Sequence, residues 1–473
     1  MTKFYITNAI PYVNSKPHIG HALEFIQSDT IARYHKYILG DETYLSCGYD
    51  ENSLKNVQAA EAEGISVQEL VDKNGKLFFD LWEKLRIQFD QAIKGSDPKH
   101  ISSSQKLWNL CAKNGDIYKK SYEGLYCVGC EQFYEKNELN EKGECFEHPG
   151  KPLEKVSEEN YFFKLSDYTD RILQLIESDE LQIIPETRKN EVVEFVKKGL
   201  EDISISRTNE RAKNWGVPVP EDEKQKMYVW FDALNIYQTA AGFGWNEETY
   251  KKLWPADLHV VGKGIIRFHA VYWPAFLLSA GLKLPKKIFV HEYFTVDGQK
   301  MSKTLGNVID PLELVEKYSA EGLRYYCLAK FSPFQDGDFS EERFKETYNA
   351  DLANGLGNLV ARVARLCEKI ELDPLAQPQA SKNYKKIFST YKFNDVLGDI
   401  WSKISEIDQE IEREQPWKIE DLSKLKAVLQ DWVERINQIS FELKPFLPET
   451  SEKIQNLFGQ TKIKSIPPLF PRI

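Results

Sequence analysis

The chain has 473 residues, enough for about three domains of ordinary size. Hydrophobic residues make up 42% and charged residues 28%, which is typical of a globular protein with sizeable cores. The formal net charge of -10 speaks against sequence-independent binding of nucleic acid, so any RNA contact must use local patches and shape.

The first residues, MTKFYITNAIPYVN, contain no apolar run typical of a signal peptide. No stretch reaches the run of about 18 apolar residues that a membrane span needs. The seven cysteines are an odd number, and three of them cluster with a histidine, which favours a metal site in a reducing compartment over a disulfide framework. We therefore expect a cytoplasmic protein.

The first elements predict a parallel, doubly wound sheet of the Rossmann type. Residues 3–8 are rich in β-branched and aromatic types and predict a buried strand. From His18 the apolar residues recur at helical spacing as far as a stop near Gly40, and residues 43–48 predict a second strand. Strand, loop, helix and strand in this order are how such an α/β sheet begins.

The rest of the chain predicts an insertion, a return of the α/β pattern and a helical end. Residues 116–165 are turn-rich with short strand-like runs, and YVWFDA (228–233), DLHVVG (257–262) and KKIFVHEYF (286–294) are strand-like around the helical run 267–281. After about residue 341 only helical stripes occur. The predicted parts are a first Rossmann half, a connective insertion, a second Rossmann half and an all-α helical domain, over 1–115, 116–225, 226–340 and 341–473.

The segment PYVNSKPHIGH places His18 and His21 three residues apart, where the first strand leads into the first helix. Residues at i and i+3 share a helix face, so both imidazoles can point at one spot above the helix N-terminus, which suits phosphate. Gly20 removes a side chain there, so a flat base can approach the backbone closely. Two histidines that are simply exposed or packed near a helix start remain the alternative when the motif is taken alone.

A second motif, VDGQKMSKTLGN (296–307), places Lys300 and Lys303 in a glycine-flanked loop after the strand-like run IFVHEYF. Two lysines on a mobile loop can close over a triphosphate and neutralise charge as pyrophosphate leaves. Taken alone, an ordinary solvated basic turn is the simpler interpretation.

The cysteine cluster has the spacing of a zinc site. Cys127 and Cys130 form a C-x2-C pair, and after a gap of 14 residues Cys145 and His148 form a C-x2-H pair. Two such pairs complete a tetrahedral Cys3His site with no open position for substrate, which predicts structural zinc. The zinc would hold together an insertion too small for a core of its own.

Together the two phosphate motifs identify a family. His18-Ile19-Gly20-His21 followed by Lys300-Met301-Ser302-Lys303-Thr304 resembles the paired signature of class I aminoacyl-tRNA synthetases. The segments TNAIPYVN, YVWFDALNIY and GKGIIRFHAVYWPA resemble the methionyl-tRNA synthetases, in the form with a single zinc knuckle. The resemblance implies a ligase that activates methionine with Mg-ATP, releases pyrophosphate and transfers methionine to the 3′ end of the initiator and elongator methionine tRNAs.

The resemblance also implies roles for individual residues. His18, His21, Lys300 and Lys303 would be catalytic. ATP would be bound by His18, Gly20, His21, Glu24, Gly262, Lys300, Ser302 and Lys303. Methionine would be bound by Ile10, Tyr12, Asp50, Trp230, Tyr237, Ile265, Phe268 and His269, with Asp50 taking the ammonium group. An aromatic and branched pocket suits a thioether, and the Tyr12 hydroxyl and a His269 ring nitrogen could hydrogen-bond the sulfur.

Two departures from the family pattern stand beside these residues. The family commonly has D-E-H-G where this chain has Asp50-Glu51-Asn52-Ser53, and it often has aspartate at the position of Gly264. Neither change removes a residue that the chemistry requires, and any rearranged contact to ATP or to the amino group is expected beside these two positions.

In the helical domain, Asn354, Asn358 and Arg362 fall at i, i+4 and i+8, and Trp417 follows a proline. Bases of single-stranded RNA are bound through edge hydrogen bonds and stacking on aromatic rings. By the resemblance these four residues would recognise the CAU anticodon. A solvated polar face with a core tryptophan is the alternative. The chain ends at PPLFPRI without the C-terminal module that dimerises many relatives, so we expect a monomer.

Two other functions stay open on the sequence. One is a sister synthetase for leucine, isoleucine, valine or cysteine. The first three usually carry an editing insertion too large for this length, and the cysteine enzyme uses zinc to bind substrate, whereas a four-ligand site is closed. The other is a tRNA-binding paralogue that has lost catalysis. Only the departures at Asn52, Ser53 and Gly264 favour it.

Overall fold

The computed structural model describes residues 2–127, 129, 132–134, 138–146, 150–296, 298–301 and 306–473. Within these ranges the side chains of Tyr122, Gln132, Phe133 and Lys300 are not described.

The first part of the chain alternates strands and helices, as its apolar patterns predict. Its elements are β1 (Lys3–Asn8), α1 (Ile19–Arg33), β2 (Glu42–Tyr49), α2 (Leu54–Glu63), α3 (Val67–Lys84), β3 (Gln91–Lys94) and α4 (Pro98–Lys113). Helix α1 continues as a π-helical segment, Tyr34–Leu39, which ends at Gly40 in the left-handed conformation. The predicted first strand, first helix and second strand are confirmed to within about a residue at most ends.

The next part is mainly antiparallel. It comprises β4 (Ile117–Cys127), β5 (Gln132–Tyr134), β6 (Glu154–Phe163), α5 (Thr169–Glu177), β7 (Gln182–Ile184), α6 (Glu186–Lys197), β8 (Ile203–Ser204), β9 (Ser206–Thr208), β10 (Pro218–Val219) and β11 (Asp222–Met227). Strands β4 and β6 pair over ten residues and form a sheet in the order β5-β4-β6-β8. Strands β4 and β6 are longer than the short runs that the sequence predicts. In β6, buried residues alternate with more exposed ones over most of the length, as in a strand with one covered face.

The α/β pattern then returns. Its elements are α7 (Val229–Ala233), α8 (Ile236–Ala241), α9 (Glu247–Leu253), β12 (Leu258–Gly262), α10 (Trp273–Ser279), β13 (Lys287–His291), β14 (Phe294–Val296), β15 (Gln299–Lys300), α11 (Pro311–Ala329) and β16 (Gly337–Phe339). A π-helical segment, Phe268–Tyr272, leads into α10. The predicted strand at 228–233 is wrong: it forms α7. All five residues of α7 are buried, and an apolar run buried on every side has no periodicity that separates a helix from a strand.

Six strands form one parallel sheet in the order β3-β2-β1-β12-β13-β7. The chain runs from β1 outward through β2 to β3, and β12 lies on the other side of β1. In an open sheet of this kind, ligands bind at the carboxyl ends of the strands where the order reverses, here between β1 and β12. The fold class predicted from the opening elements is confirmed. Strand β7, from the range predicted as the insertion, forms the edge of this sheet beside β13.

The last part is helical, as predicted, and its described residues contain no strand after β16. It consists of α12 (Glu341–Thr347), a π-helical segment (Tyr348–Gly357), α13 (Asn358–Cys367), α14 (Lys382–Phe388), α15 (Phe393–Glu414), α16 (Leu422–Leu443) and α17 (Pro448–Phe458). Their apolar stripes meet in one core, in which Ile404, Trp432 and Ile436 are buried. Within the part of the chain that the structure describes, no helix is both long enough and apolar enough to cross a bilayer.

Candidate active site

The two histidines of the first motif cap helix α1. His18 is the N-cap, and its Nδ1 accepts a hydrogen bond from the Gly20 backbone N–H at 3.1 Å. His21 Nδ1 accepts from the His18 backbone N–H, also at 3.1 Å, and the two rings stack with centroids 3.8 Å apart. The motif therefore forms a reciprocal cap, in which histidine nitrogens occupy the place of the usual hydroxyl and carboxylate oxygens.

This arrangement fixes which ring nitrogen carries the proton. Burial, together with the neighbouring His18, holds the pKa of His21 well below its usual 6.5, so that ring is neutral near pH 7. Because Nδ1 accepts a hydrogen bond, the proton of neutral His21 is on Nε2. His21 thus carries an N–H donor on the ring edge opposite the capped backbone, at a helix end that already favours anions.

The structure brings the two phosphate motifs together. The Ile19 backbone N–H donates to Ile309 O at 3.1 Å, so the start of α1 is bonded to the chain just beyond the second motif. A Cβ built on Gly20 would lie 3.7 Å from the Met301 methyl carbon and 3.0 Å from the His18 ring. Gly20 thus makes room for the His18 ring of the cap. The Lys300 side chain and all of Ser302 and Lys303 lie outside the described residues.

Strands β14 and β15 form the hairpin that leads to the second motif. Val296 pairs with Gln299, and β14 also pairs with β16 in parallel. The Asp338 carboxylate accepts from the Gly298 backbone N–H and from the Thr295 hydroxyl, both at 2.8 Å. These bonds hold the hairpin against the edge of β16, so the loop starts from a fixed position.

Glu24 lies one turn into α1 and faces the sheet. Its carboxylate accepts from the Asn8 amide at 2.9 Å and meets His291 Nε2 at 2.9 Å. His291 ends β13 and pairs with Gly262 at the end of β12. Glu24 and Gly262, both predicted to bind ATP, are therefore linked through His291 at the carboxyl ends of β12 and β13.

The residues predicted to bind methionine collect in one aromatic cluster. Trp230 stacks on Phe268 with centroids 3.7 Å apart and meets the edges of Tyr12 and His269 at 6.4 and 6.3 Å. Trp230, Tyr237 and Phe268 are buried, whereas Ile10, Tyr12 and Ile265 are partly buried against the same cluster. Stacked rings with partly exposed apolar neighbours can form the wall of a pocket for an unbranched apolar side chain.

His269 is already hydrogen-bonded on both ring nitrogens. Nδ1 lies 2.8 Å from the Ile265 carbonyl and must donate to it, and Nε2 lies 2.7 Å from the Tyr237 hydroxyl. Burial lowers the pKa of His269 to about 4, so the ring is neutral and Nε2 accepts from Tyr237. This corrects the predicted contact between a His269 nitrogen and sulfur, because neither nitrogen has a proton to give. The Tyr12 hydroxyl is the predicted donor that remains.

Asp50 is buried at the carboxyl end of β2, directly beside Tyr12, with which it forms a parallel bridge. Of the two residues of the first departure, Asn52 contacts Asp50 and Ser53 caps the next helix. Asn52 donates its backbone N–H to the Asp50 carboxylate at 3.1 Å and its amide to Asp232 at 2.6 Å. Ser53 caps helix α2 by accepting from the Lys55 backbone N–H at 3.0 Å. Both residues thus have local structural roles, and Asp50 keeps its position beside Tyr12.

The predicted zinc ligands are described only in part. Cys127 ends β4 and Cys145 follows a turn at 140–144, and both are buried. The Cys145 thiol lies 3.3 Å from the Tyr134 hydroxyl. Cys130 and His148 lie outside the described residues, and among those described no three His, Cys, Asp or Glu side chains form a metal site.

The predicted anticodon residues are on the surface of the helical domain. Asn354 and Asn358 are exposed, and Arg362 forms ion pairs with Asp408 and Glu412 near the end of α15. Trp417 lies just beyond that helix end in a short 3-10 turn, Pro416–Lys418, and is 57% exposed. A core role for this tryptophan is therefore wrong, and its ring is available for stacking.

Sequence reasoning missed several polar residues around the site. Glu292, directly after β13, is buried and pairs with Arg188 and with Lys263. His291 and Tyr293 flank it. The departures from the family pattern at Asn52 and Gly264 could have pointed to further polar residues at the site. Asn52 is hydrogen-bonded to Asp232 and Gly264 to Tyr293, and the sequence predicted a role for neither partner.

Comparison with known proteins gives a consistent family. The family profile described as tRNA synthetases class I (M) matches residues 4–364. Methionine–tRNA ligase of Brucella suis biovar 1 is 40% identical over 99% of this chain and 98% of its own length. That of Thermotoga maritima is 40% identical over 96% of this chain and 74% of its own.

Solved structures agree. A crystal structure of Mycobacterium tuberculosis methionyl-tRNA synthetase with methionyl-adenylate has a TM-score of 0.93 and 36% identity, covering 99% of this chain and 100% of that one. The free form of the same protein has a TM-score of 0.84 and 34% identity, covering 100% and 98%.

The lowered pKa values of the buried histidines predict that the free energy of unfolding decreases at acidic pH. Burial lowers the pKa of His100 to about 3 and that of His269 to about 4, whereas both are near 6.5 in the unfolded chain. Between pH 6.5 and 4 the unfolded state binds more protons, so the free energy of unfolding decreases as pH falls. Each histidine contributes about 2 kcal/mol to this loss by pH 5.

We expect the urea midpoint, followed by circular dichroism, to decrease from pH 7.5 to pH 5. The decrease should be smaller in His100→Gln, which removes one of the titrating groups. Equal pH dependence in the variant and the wild type would contradict this assignment.

Proposed function

The chain belongs to the methionyl class I aminoacyl-tRNA synthetases, and we propose that it catalyses the two-step reaction of methionine–tRNA ligases. The methionine carboxylate attacks the α-phosphate of Mg-ATP and pyrophosphate leaves. A hydroxyl of the 3′-terminal ribose of tRNA then attacks the carbonyl carbon of methionyl-adenylate, the ester bond to tRNA forms and AMP leaves. The protein contributes positioning and charge stabilisation and forms no covalent bond with the substrate.

The observation that supports this most directly is the meeting of the two motifs. Ile19 is bonded to Ile309, and Met301 lies against Gly20, although about 280 residues separate the motifs along the chain. This places the start of the lysine loop beside the N-terminus of α1. His21 would donate from Nε2 to phosphate, with His18 beside it, and Lys300 and Lys303 would neutralise the leaving pyrophosphate.

The aromatic cluster and Asp50 would hold methionine at its two ends. Asp50 is a buried carboxylate beside Tyr12, which suits the substrate ammonium group. The stacked Trp230 and Phe268 rings would contact the thioether, and sulfur–aromatic contacts contribute roughly 0.3–1.5 kcal/mol each. The bonds between His269, Tyr237 and Ile265 would fix the shape of the pocket before the substrate enters.

We further propose structural zinc held by Cys127, Cys130, Cys145 and His148. The buried Cys127 and Cys145 lie on the β4–β5 sheet and the turn beside it, and thiolates are the ligands that zinc prefers in closed sites. Bound zinc would stabilise the fold of this insertion and take no part in the reaction.

For the anticodon we propose Asn354, Asn358, Arg362 and Trp417. The exposed Trp417 ring and the exposed amides suit stacking and edge hydrogen bonds with unpaired bases. Arg362 is paired with two carboxylates, so it would bind RNA while these ion pairs rearrange. The methionine tRNAs as partners, a monomeric state and a cytoplasmic location remain predictions from the sequence.

The first alternative was a synthetase for another amino acid. The family match favours the methionyl enzymes over it. The second, a tRNA-binding paralogue without catalysis, rested on the departures at Asn52, Ser53 and Gly264. Asn52 and Ser53 have structural partners and leave Asp50 in place, so no contact described here favours that alternative.

The first test is ATP–pyrophosphate exchange with each of the twenty amino acids, without tRNA. We expect exchange with methionine alone. Lys303→Ala should lower its rate by about 10²–10³-fold with the methionine KM unchanged, because it removes a charge that stabilises the leaving group. Lys382→Ala, at the start of α14, is the control and should not change the rate. No exchange by folded protein would contradict the proposed function.

A second test concerns zinc. Metal analysis of the purified chain should find one zinc per molecule, and Cys145→Ser should remove most of it because thiolate is the stronger ligand. Cys111→Ser, at a buried thiol outside the cluster, should retain the zinc. Zinc in equal amounts in Cys145→Ser and the wild type would overturn the assignment.

A third test separates tRNA recognition from amino-acid activation. Trp417→Ala should lower kcat/KM for methionine tRNA by about 5–150-fold, since one base-stacking contact contributes about 1–3 kcal/mol, while exchange without tRNA stays unchanged. Phe79→Ala, at another exposed ring, is the matched control and should charge tRNA normally. Equal charging by Trp417→Ala and Phe79→Ala would exclude Trp417 from the interface.

A further inference from the structure

Methionine is rare in this chain, and its three copies differ in exposure. Met1 lies outside the described residues, whereas Met227, at the end of β11, is 5% exposed and belongs to the core around Trp230. Met301, directly after β15, is partly exposed. A dissolved oxidant must reach the thioether sulfur, so of the two described methionines Met301 is the one open to peroxide.

The Met301 side chain packs where the lysine loop, residues 300–309, meets the first helix. Its methyl carbon lies 3.7 Å from the position that a Cβ on Gly20 would take, which is an ordinary van der Waals distance. Met301 and Ile309 both pack against the core that contains Ile19 and Phe25. The Met301 side chain is therefore an apolar contact between the loop and the N-terminal end of α1.

The lysine loop is anchored at both ends, and Met301 lies beside the first anchor. At this end β15 pairs with β14, with Thr295 opposite Lys300. At the other end the Ile309 carbonyl accepts a hydrogen bond from the Ile19 backbone N–H at 3.1 Å. A change in the polarity of Met301 would therefore act where the loop begins, next to the histidine cap.

Oxidation by hydrogen peroxide would make this contact polar. A sulfur lone pair attacks one peroxide oxygen, the O–O bond breaks, and the departing hydroxide takes the proton of the transferred oxygen and leaves as water. Sulfur loses two electrons, peroxide gains them, and the side chain becomes methionine sulfoxide. The new oxygen is bonded to the atom next to the methyl group that faces Gly20, and a polar atom held against an apolar surface without a hydrogen-bond partner is unfavourable.

We propose that Met301 is a redox-sensitive modification site. Peroxide oxidises its thioether, and the sulfoxide displaces the start of the lysine loop from the α1 N-terminus and so lowers the rate of amino-acid activation. The modification is reversible, because two thiols of a methionine sulfoxide reductase reduce the sulfoxide and form a disulfide and water. This inference rests on the proposed function, since activation is the reaction that the modification slows.

Cysteine thiols are the other groups that peroxide can oxidise. The six cysteines in the described part of the chain are all buried. Cys127 and Cys145 matter most among them, because proposed zinc ligands are held as thiolates, and the thiolate is the reactive form. Loss of zinc is therefore the competing effect of peroxide, and the experiment has to measure it.

The test treats the full-length chain, purified with zinc, with hydrogen peroxide and removes the excess with catalase before any assay. Peptide mass spectrometry should find sulfoxide at Met301 well before Met227. The rate of methionine-dependent ATP–pyrophosphate exchange should decrease by about tenfold, the effect of one polar group held against an apolar surface. Methionine sulfoxide reductases for both sulfoxide epimers should restore the rate.

Two variants separate Met301 from other oxidised groups. Met301→Leu keeps the volume and apolar character of the side chain and cannot take up oxygen. Each protein is compared with its own untreated rate, so Met301→Leu should retain most of its exchange where the wild type loses it. Met227→Leu is the matched control and should lose exchange as the wild type does. The zinc content of the same samples should stay constant while the rate falls.

Three results would overturn the inference. Equal fractional loss of exchange in Met301→Leu and the wild type, or a loss that follows the release of zinc, would assign the effect to another group. Exchange that is unchanged at full oxidation of Met301 would show that the sulfoxide does not disturb the loop. Oxidation of Met227 before Met301 would contradict the exposure on which the inference depends.

Failure of the proposed function gives a different pattern. An untreated chain that exchanges pyrophosphate with no amino acid contradicts the proposed function, whereas mass spectrometry still detects the oxidation of Met301. The effect on the loop is then measured as affinity for α,β-methylene-ATP, which should weaken in the oxidised wild type and stay constant in oxidised Met301→Leu. Affinity that is unchanged in both proteins would overturn this inference as well.

Discussion

A buried carboxylate on the first helix constrains how the two ends of this chain fit together. Asp29 on α1 is fully buried, and Arg33 and Arg324 both reach the same carboxylate oxygen at 2.7 Å. Arg324, itself fully buried in α11, also donates to the carbonyls of Leu85, Pro445 and Phe446. A buried charge is tolerated only when it is paired and hydrogen-bonded, so the packing around Asp29 has little freedom.

This constraint connects catalysis with the helical domain. Helix α1 carries the histidine cap at its N-terminus and Asp29 further along, and Pro445 and Phe446 lie between α16 and α17. Glu321, on α11 one turn before Arg324, accepts the backbone N–H groups of Glu449 and Thr450 at 3.0 and 2.8 Å and so caps α17. Helix α1, which begins at the histidine cap, and the bundle that carries the predicted anticodon residues are therefore fixed to each other through buried polar contacts rather than through a linker.

Hydrogen bonds also show how the site accommodates residues that depart from the family pattern. The Asn52 amide donates a hydrogen bond to Asp232, and the Tyr293 hydroxyl accepts one from the Gly264 backbone N–H. Each departure from the family pattern therefore has a hydrogen-bond partner nearby. Neither partner is close in sequence: Asp232 is 180 residues from Asn52, and Tyr293 is 29 residues from Gly264. The sequence shows that a residue departs from the family pattern, but it does not show which distant group forms a hydrogen bond with that residue.

The class of fold, the first strand and helix, the helical C-terminal part and the two family motifs could all be predicted from the sequence, because they depend on periodicity and spacing within short segments. The family resemblance also predicted the residues of a methionine pocket, and the structure gathers the aromatic ones in one cluster. Four features could be seen only in the folded chain. Val229–Ala233 is a helix, Trp417 is exposed, both nitrogens of His269 are engaged and Tyr293 occupies the space beside Gly264. These features depend on which groups meet across the fold, and burial and hydrogen-bond partners of that kind leave no local pattern in the chain.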